Sequence, residues 1–390
     1  MKTAVGKSRV ADHVQQIPRS GIRDFFDIVQ SMKDVISMSV GEPDFVTPWH
    51  IREAAIYALE HGKTGYTSNL GTPLLRQQIA RYVAERHGVS YDWQREILVT
   101  VGVSEALDIA LRAIINPGDE VLFHEPCYVS YNPSVVLAHG KAVPIATRQI
   151  DNFTLRADDV RRAITPRTRA LMLNFPCNPT GAVLSREEQE KIARLCIEHD
   201  LLVLTDEIYC ELSYSGAQPS IVSVPGMRER TIYFNGFSKA YAMTGFRIGY
   251  VCAPPELTEA MLRVHQYAML CAPVVSQEAA AEALKNGAPA MRHMRDEYRR
   301  RRNFLAHHFN RLGLVCHEPQ GAFYLFPNIS VTGLTSREFA VKLLEEKKVA
   351  MVPGTAFGPS GEGFVRCSYA TAMEQLEVAV ERIVDFVNNR

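Results

Sequence analysis

Through the middle of this chain the apolar residues come in short, uninterrupted runs, at 96–100, 120–123, 170–173, 201–204 and 231–234. Runs of this length that do not alternate with polar residues predict strands buried on both faces. Between them the period changes. Ala106, Leu107, Ala110, Leu111, Ile114 and Ile115 recur at spacings of three, four and seven, which predicts one face of a helix that Asn116-Pro117-Gly118-Asp119 stops. A charged stretch, Ser185 to His199, predicts another helix between the strands at 170–173 and 201–204. Strands separated by helices predict an α/β fold with a parallel sheet covered on both sides.

Past about residue 290 the texture differs. A long basic helix is expected over Met291–Arg311, carrying Arg299-Arg300-Arg301-Arg302 as a solvated or subunit-facing surface. A strand at Ala322–Phe326, a helix at Ser336–Lys347, a strand near Phe364–Arg366 and a closing helix at Glu374–Asn389 follow. This order fits a smaller α+β domain. The division expected is a large domain over 48–290, with 1–47 and 291–390 forming the small domain. No repeat or low-complexity tract is visible.

Composition narrows the class without naming a chemistry. The 390 residues include 43 Lys plus Arg against 43 Asp plus Glu, and 46% are hydrophobic. That balance supports a large core and opposes both disorder and general nucleic-acid binding. The eight cysteines show no C-x-x-C spacing and no zinc-ligand grouping with histidine, so no metal is expected and residues such as Cys210 and Cys252 read as small core hydrophobes. The opening residues 1–8 contain no apolar stretch of signal-peptide length, and no apolar run is long enough to span a bilayer. A reducing, cytoplasmic setting without membrane contact is the expectation.

In open parallel sheets, ligands bind beyond the carboxyl ends of the strands, so the residues just past each run are the candidates. Val101-Gly102-Val103-Ser104 opens the first amphipathic helix, either as an anion site or with Ser104 as a plain N-cap. Asn174-Phe175-Pro176-Cys177-Asn178-Pro179-Thr180-Gly181 presents Asn178 on an irregular loop, which by itself is also an ordinary turn. Asp206, at the end of a buried strand, needs a partner or caps a helix. Lys239 stands among small and aromatic residues, where a desolvated amine suits Schiff-base chemistry, and Arg247 eight positions later suits a phosphate fork. A surface lysine beside a structural arginine is the alternative.

These segments do not stand alone. Gly236 to Gly249, G-F-S-K-A-Y-A-M-T-G-F-R-I-G, resembles the pyridoxal-phosphate attachment signature of the class I/II aminotransferases. The resemblance extends to S-V-G-E-P-D-F at 39–45, Y-T-S-N-L-G at 66–71, N-P-T-G at 178–181, D-E-I-Y at 206–209 and V-R-C-S-Y-A at 365–370. It implies the fold type I architecture, with a mostly parallel seven-stranded sheet sandwiched by helices and a smaller α+β domain. It also implies a homodimer with shared active sites, and amino acid and 2-oxo acid substrates, with glutamate and 2-oxoglutarate as one pair.

Residue by residue, the resemblance implies that Lys239 holds pyridoxal 5'-phosphate and moves the proton. Asp206 would pair with the pyridine nitrogen. Tyr209 and Asn178 would face the phenolic oxygen, and Tyr128 would stack on the ring. Gly102, Val103, Ser104, Ser238 and Arg247 would hold the phosphate, joined by Tyr66 from the neighbouring subunit. Arg366 would fork the substrate carboxylate with Gly41 beside it, and the stretch through Ile22-Arg23 resembles a segment that closes over substrate. Two positions depart from the pattern. Gly236 replaces a phosphate-binding serine. Ser104 replaces the lysine that reads a second carboxylate in one aspartate-specific branch, which puts aspartate specificity in doubt.

A carbon–sulfur β-lyase would use the same residues, since bond orientation selects the outcome. A non-catalytic effector sensor would need an added DNA-binding module, and the chain ahead of residue 39 is too short for one.

Overall fold

The computed structural model describes residues 9–17 and 32–390. Seven strands form its main sheet: β2 (Ile97–Thr100), β3 (Glu120–Glu125), β4 (Lys141–Ala146), β5 (Thr168–Asn174), β6 (Leu202–Asp206), β7 (Thr231–Gly236) and β8 (Gly249–Cys252). Their order is β2-β8-β7-β6-β5-β3-β4. Neighbours from β7 to β4 pair in parallel, whereas β8 runs antiparallel to both β7 and β2. The sheet is therefore mixed, with β8 alone reversed.

Two of these strands are absent from the sequence reading, for different reasons. β4 is an edge strand, half-exposed and interrupted by Pro144, so it lacks the continuous apolar signature of its neighbours. β8 has only four residues and follows the glycine-rich stretch without a helix between.

The alternation of side chains across the sheet shows why both faces are covered. Leu98, Val121, Phe123, Met172, Phe234 and Val251 face one way and pack with the helices Gly102–Ile114 and Pro255–Ala268. Ile97, Val99, Tyr233, Tyr250 and Cys252 face the other way, against the helices Trp49–Glu60, Pro73–His87 and Val274–Asn286. Burial of such side chains stabilises by about 1.5–3 kcal/mol each. The helix expected to include Ile115 ends at Ile114, because Ile115 already has extended backbone.

The remaining strands are short. β1 (Ile36–Ser37) pairs in parallel with β10 (Val349–Ala350), while β9 (Tyr324–Leu325), β11 (Val352–Pro353) and β12 (Val365–Ser368) form an antiparallel sheet. They share a core with the helices Ala288–Arg311, Ser336–Lys347 and Met373–Asn388. The helix at 336–347 begins where expected because Thr335 and Glu338 form a capping box.

The basic run differs from its expected solvated face. Arg299 and Arg300 make local pairs with Asp296 and Glu297, but Arg301 and Arg302 are only 6% exposed. Consecutive residues lie about 100° apart on a helix, so a run of four cannot stay on one face.

Candidate active site

The carboxyl ends of β2, β3, β5, β6 and β7 open onto one cavity of about 810 Å³. Since β8 is reversed, its amino end lies at the same edge, and this brings Arg247 beside the residues that leave β7. The wall contains Gly41, Val103, Ser104, Tyr128, Asn178, Asp206, Tyr209, Ser238, Lys239, Arg247 and Arg366. Gly102 stands directly behind, where a Cβ would lie 2.8 Å from the Arg247 guanidinium. Tyr66 is not brought in; it is 87% exposed. Ile22 and Arg23 lie outside the described residues.

Lys239 follows β7 by three residues and donates from Nζ to the Gly41 carbonyl at 2.6 Å. Its ammonium is brought down to about 8, chiefly by burial; Glu42 opposes the shift, Arg366 and Arg247 add to it, and Asp206 opposes it. The alternative of a surface lysine is thereby overturned. Asp206 ends β6, and its Oδ2 accepts from the Tyr131 hydroxyl at 2.9 Å while Oδ1 accepts from the Ile208 amide at 3.2 Å. Burial pushes this carboxyl up to about 6 against those two hydrogen bonds and the nearby Lys239. The side-chain amide of Asn174, at the end of β5, donates to the Asp206 carbonyl, and its Oδ1 accepts from the Asn178 backbone. The loop carrying Asn178 is therefore tied to the strand carrying Asp206.

Arg366, in β12, is fully enclosed. It donates from Nη1 to Asn178 Oδ1 at 3.0 Å and from Nη2 to the Ser39 carbonyl at 2.6 Å. Its guanidinium lies 4.6 Å from the Tyr324 ring and 4.7 Å from the Phe357 ring. The hydroxyls of Tyr324 and Tyr209 are 2.9 Å apart, and burial raises both phenols.

At the opening of helix 102–114 the N-cap is Val101, with no side-chain cap, so Ser104 lies within the first turn and is not the N-cap. Glu105 accepts from the Val101 amide instead. Gly102 has φ +75°, a conformation open to glycine at little cost. Arg247 also sits in the left-handed region, at φ +49°, and donates from Nη1 to the Thr244 carbonyl at 3.0 Å. Gly236 acquires its own reason. A Cβ there would lie 3.1 Å from Gly249 Cα and from the Ile248 carbonyl, so the small residue lets β7 and β8 approach.

Asn174, Tyr324 and Glu42 are wall residues that the sequence reading missed, as is Tyr131, which lies behind the wall and holds Asp206. Tyr131 stands one helical turn after Tyr128, a spacing that could have revealed it. Tyr324 was hidden inside an apolar run.

A family model described as aminotransferase class I and II matches residues 33–383. This chain belongs to that family. Among class I and II aminotransferases, it is 52% identical over 381 residues to the putative aminotransferase YugH of Bacillus subtilis (strain 168), across 98% of this chain and 99% of that one. It is 46% identical over 377 residues to the aspartate aminotransferase of Pyrococcus abyssi, across 96% of this chain and 97% of the relative. The crystal structure of an aromatic aminotransferase from Pyrococcus horikoshii OT3 matches with a TM-score of 0.90 at 46% identity, covering 95% of this chain and 99% of that chain. The present protein is a pyridoxal-phosphate-dependent transaminase that moves an amino group between an amino acid and an oxo acid.

The cavity's donor set fits that cofactor. First-turn amides of helix 102–114 have no intrahelical acceptor, and with Arg247, Ser104 and Ser238 they suit a phosphate dianion. The buried Asp206 suits a protonated ring nitrogen, and the Tyr128 ring offers an apolar face. Arg366 Nε is buried with no hydrogen-bond partner among the described residues, which leaves it free for an acceptor such as a carboxylate. No described helix is long and apolar enough to cross a membrane, and no group of metal-ligating side chains occurs among the described residues.

Proposed function

We propose that this transaminase uses Lys239 as its proton-transfer residue, Asp206 and Tyr209 as its electronic controls, and Arg366 as its α-carboxylate receptor. The observation that carries the reading is the placement of Lys239 Nζ, half-buried at the Gly41 carbonyl within a wall that also contains Arg247, Arg366 and Asp206. Bound pyridoxal phosphate supplies an electron sink for the bonding pair of the substrate Cα–H bond.

The chain's own residues then have separable tasks. Arg366 forks the α-carboxylate, with Asn178 and the Gly41 backbone beside it, and so orients the Cα–H bond. The neutral amine of Lys239 would accept the proton from Cα and, as the ammonium, deliver it to the C4′ position of the cofactor, which suits a group titrating near pH 8. Asp206 keeps a proton on the ring nitrogen, held in place by Tyr131. Tyr209 and Asn178 hydrogen-bond the phenolic oxygen, and Tyr128 covers the ring. Gly102, Val103, Ser104, Ser238 and Arg247 bind the phosphate.

The working assembly is a homodimer in which Tyr66 reaches the partner's phosphate. Exposure of Tyr66, Trp49, Tyr267 and Met269 supports a covered face of that kind. The reading also takes glutamate and 2-oxoglutarate as one substrate pair, a biosynthetic role in the cytoplasm, and a large domain over 48–290 with 1–47 and 291–390 as the small one.

Purified holoenzyme should show a visible absorption band that a glutamate pulse removes and 2-oxoglutarate restores. Lys239→Ala should abolish amino transfer, and full turnover in that variant would refute the assignment. Release of ammonia and pyruvate without an oxo acid acceptor would instead mark β-elimination. Sedimentation equilibrium at a monomer mass would remove the dimer.

A further inference from the structure

The arginine run at 299–302 is left unexplained by the transaminase site, yet half of it points inward. Arg301 donates from Nη1 to both carboxylate oxygens of Asp44, at 2.9 and 2.8 Å, and from Nε to Glu297 at 3.3 Å. Its guanidinium lies over the rings of Phe45 and Tyr298 at 5.4 and 5.7 Å. Tyr298 also donates to Asp44, at 3.3 Å. A buried arginine held by two carboxylates and two rings is a rigid anchor, because removing either charge leaves the other uncompensated.

What the anchor holds is the segment 39–45. Its Ser39 carbonyl accepts from Arg366 Nη2 and its Gly41 carbonyl accepts from Lys239 Nζ, both at 2.6 Å. A Cβ on Gly41 would lie 2.7 Å from the Tyr324 hydroxyl, so the segment is packed directly on the site wall. Arg301 also donates to the carbonyl of Tyr369, three residues beyond Arg366, at 3.4 Å. One side chain therefore ties together the two segments that aim the Arg366 fork.

We infer that Arg301 is a positioning residue for substrate binding: through Asp44 it fixes the 39–45 segment, and through that segment it sets the direction of the Arg366 guanidinium. Arg301 touches no reacting atom. A lysine in its place keeps the charge but has one nitrogen where Arg301 uses two in a fixed fork, Nη1 on Asp44 and Nε on Glu297. The segment would then drift, the Ser39 carbonyl would release Arg366 Nη2, and the fork would lose its aim. The inference rests on the proposal that Arg366 receives the α-carboxylate.

The test compares Arg301→Lys, Asp44→Asn and Arg366→Lys as holoenzymes. Steady-state kinetics with glutamate are measured alongside the dissociation constant of the inert carboxylate 3-phenylpropionate, read from the visible band. Misaiming the fork should raise KM and that dissociation constant about tenfold in both Arg301→Lys and Asp44→Asn, with kcat changed less than about threefold and the band retained. Values within twofold of the parent in a folded variant would overturn the inference. So would equal losses in kcat and cofactor binding, or failure of both variants to fold, since each assigns the pair to the scaffold. If Arg301→Lys alone fails to fold, Asp44→Asn decides. Arg366→Lys separates the two readings. If it leaves 3-phenylpropionate binding unchanged, the carboxylate reading itself falls; if it weakens binding while the Arg301 and Asp44 variants do not, only the positioning role falls.

Discussion

Tyr131 donates its hydroxyl hydrogen to Asp206 at 2.9 Å, across 75 residues of sequence and inside the core. This bond holds one carboxylate oxygen in place and favours its ionised form, while burial favours the neutral one. Asp206 is thus kept poised between two charge states by competing environments. Tyr131→Phe removes the favouring bond and should weaken folding of the cofactor-free protein above pH 7 by about 1–2 kcal/mol. Urea unfolding of the two proteins at pH 7.5 measures it.

The same carboxyl makes stability depend on pH in a defined direction. Its pKa rises from 3.8 unfolded to about 6 folded, so its contribution is full below pH 4 and is lost as pH rises through 6. The cofactor-free parent should therefore gain on Asp206→Asn by about 1–3 kcal/mol at pH 7.5 and by nothing at pH 4. Amino transfer should fall at least about 100-fold in that variant, because the ring nitrogen loses its anionic partner. Paired denaturation curves at the two pH values, with a rate assay, check both halves.

Lys239 should be the most reactive lysine in the cofactor-free protein near neutral pH. With its ammonium brought down to about 8, about a tenth of it is neutral at pH 7 and half at pH 8, where ordinary lysines are almost fully charged. Labelling by an amine-specific reagent, followed by mass spectrometry across pH 6 to 10, should give a midpoint near 8. Arg366→Gln should move that midpoint up, because it removes a nearby cation, and Glu42→Gln should move it down.

Gly249→Ala should loosen the phosphate end. The added Cβ would lie 2.9 Å from the Gly102 carbonyl carbon and the Val103 amide nitrogen, which are backbone atoms that cannot swing aside. A cost of about 1–3 kcal/mol in stability is expected, with weaker cofactor binding. Thermal melts and equilibrium dialysis against pyridoxal phosphate provide the two measurements.

Much of this was legible from the chain because local chemistry decided it. The helix 336–347 could be placed from sequence, and the structure shows the local reason, since Thr335 and Glu338 cap it without help from elsewhere. Asp206, Asn178 and Lys239 could be located because residues leaving parallel strands collect at one edge. Contacts closed by the fold were not legible. Tyr131 meets Asp206, and Tyr324 meets Tyr209 across 115 residues, only after the main sheet and the short strands β9, β11 and β12 come together. Arg301 looked like solvated charge because its partner Asp44 is 257 residues away. β8, Gly-Tyr-Val-Cys, was missed because it continues from the glycine-rich stretch without a distinct apolar run, and with it the reversal that changes the sheet from parallel to mixed.

That reversal has a consequence for how the enzyme can vary. Lys239 leaves β7 and Arg247 enters β8, and the two strands are locked in register by pairs such as Gly236 with Gly249. The link between them is thus a closed hairpin whose feet are pinned, with an eight-residue interval between lysine and arginine. An insertion there could not be absorbed by sliding either strand. Under the roles proposed for Lys239 and Arg247, it would disturb the cofactor's attachment and its phosphate grip together, so the two would be inherited as one part.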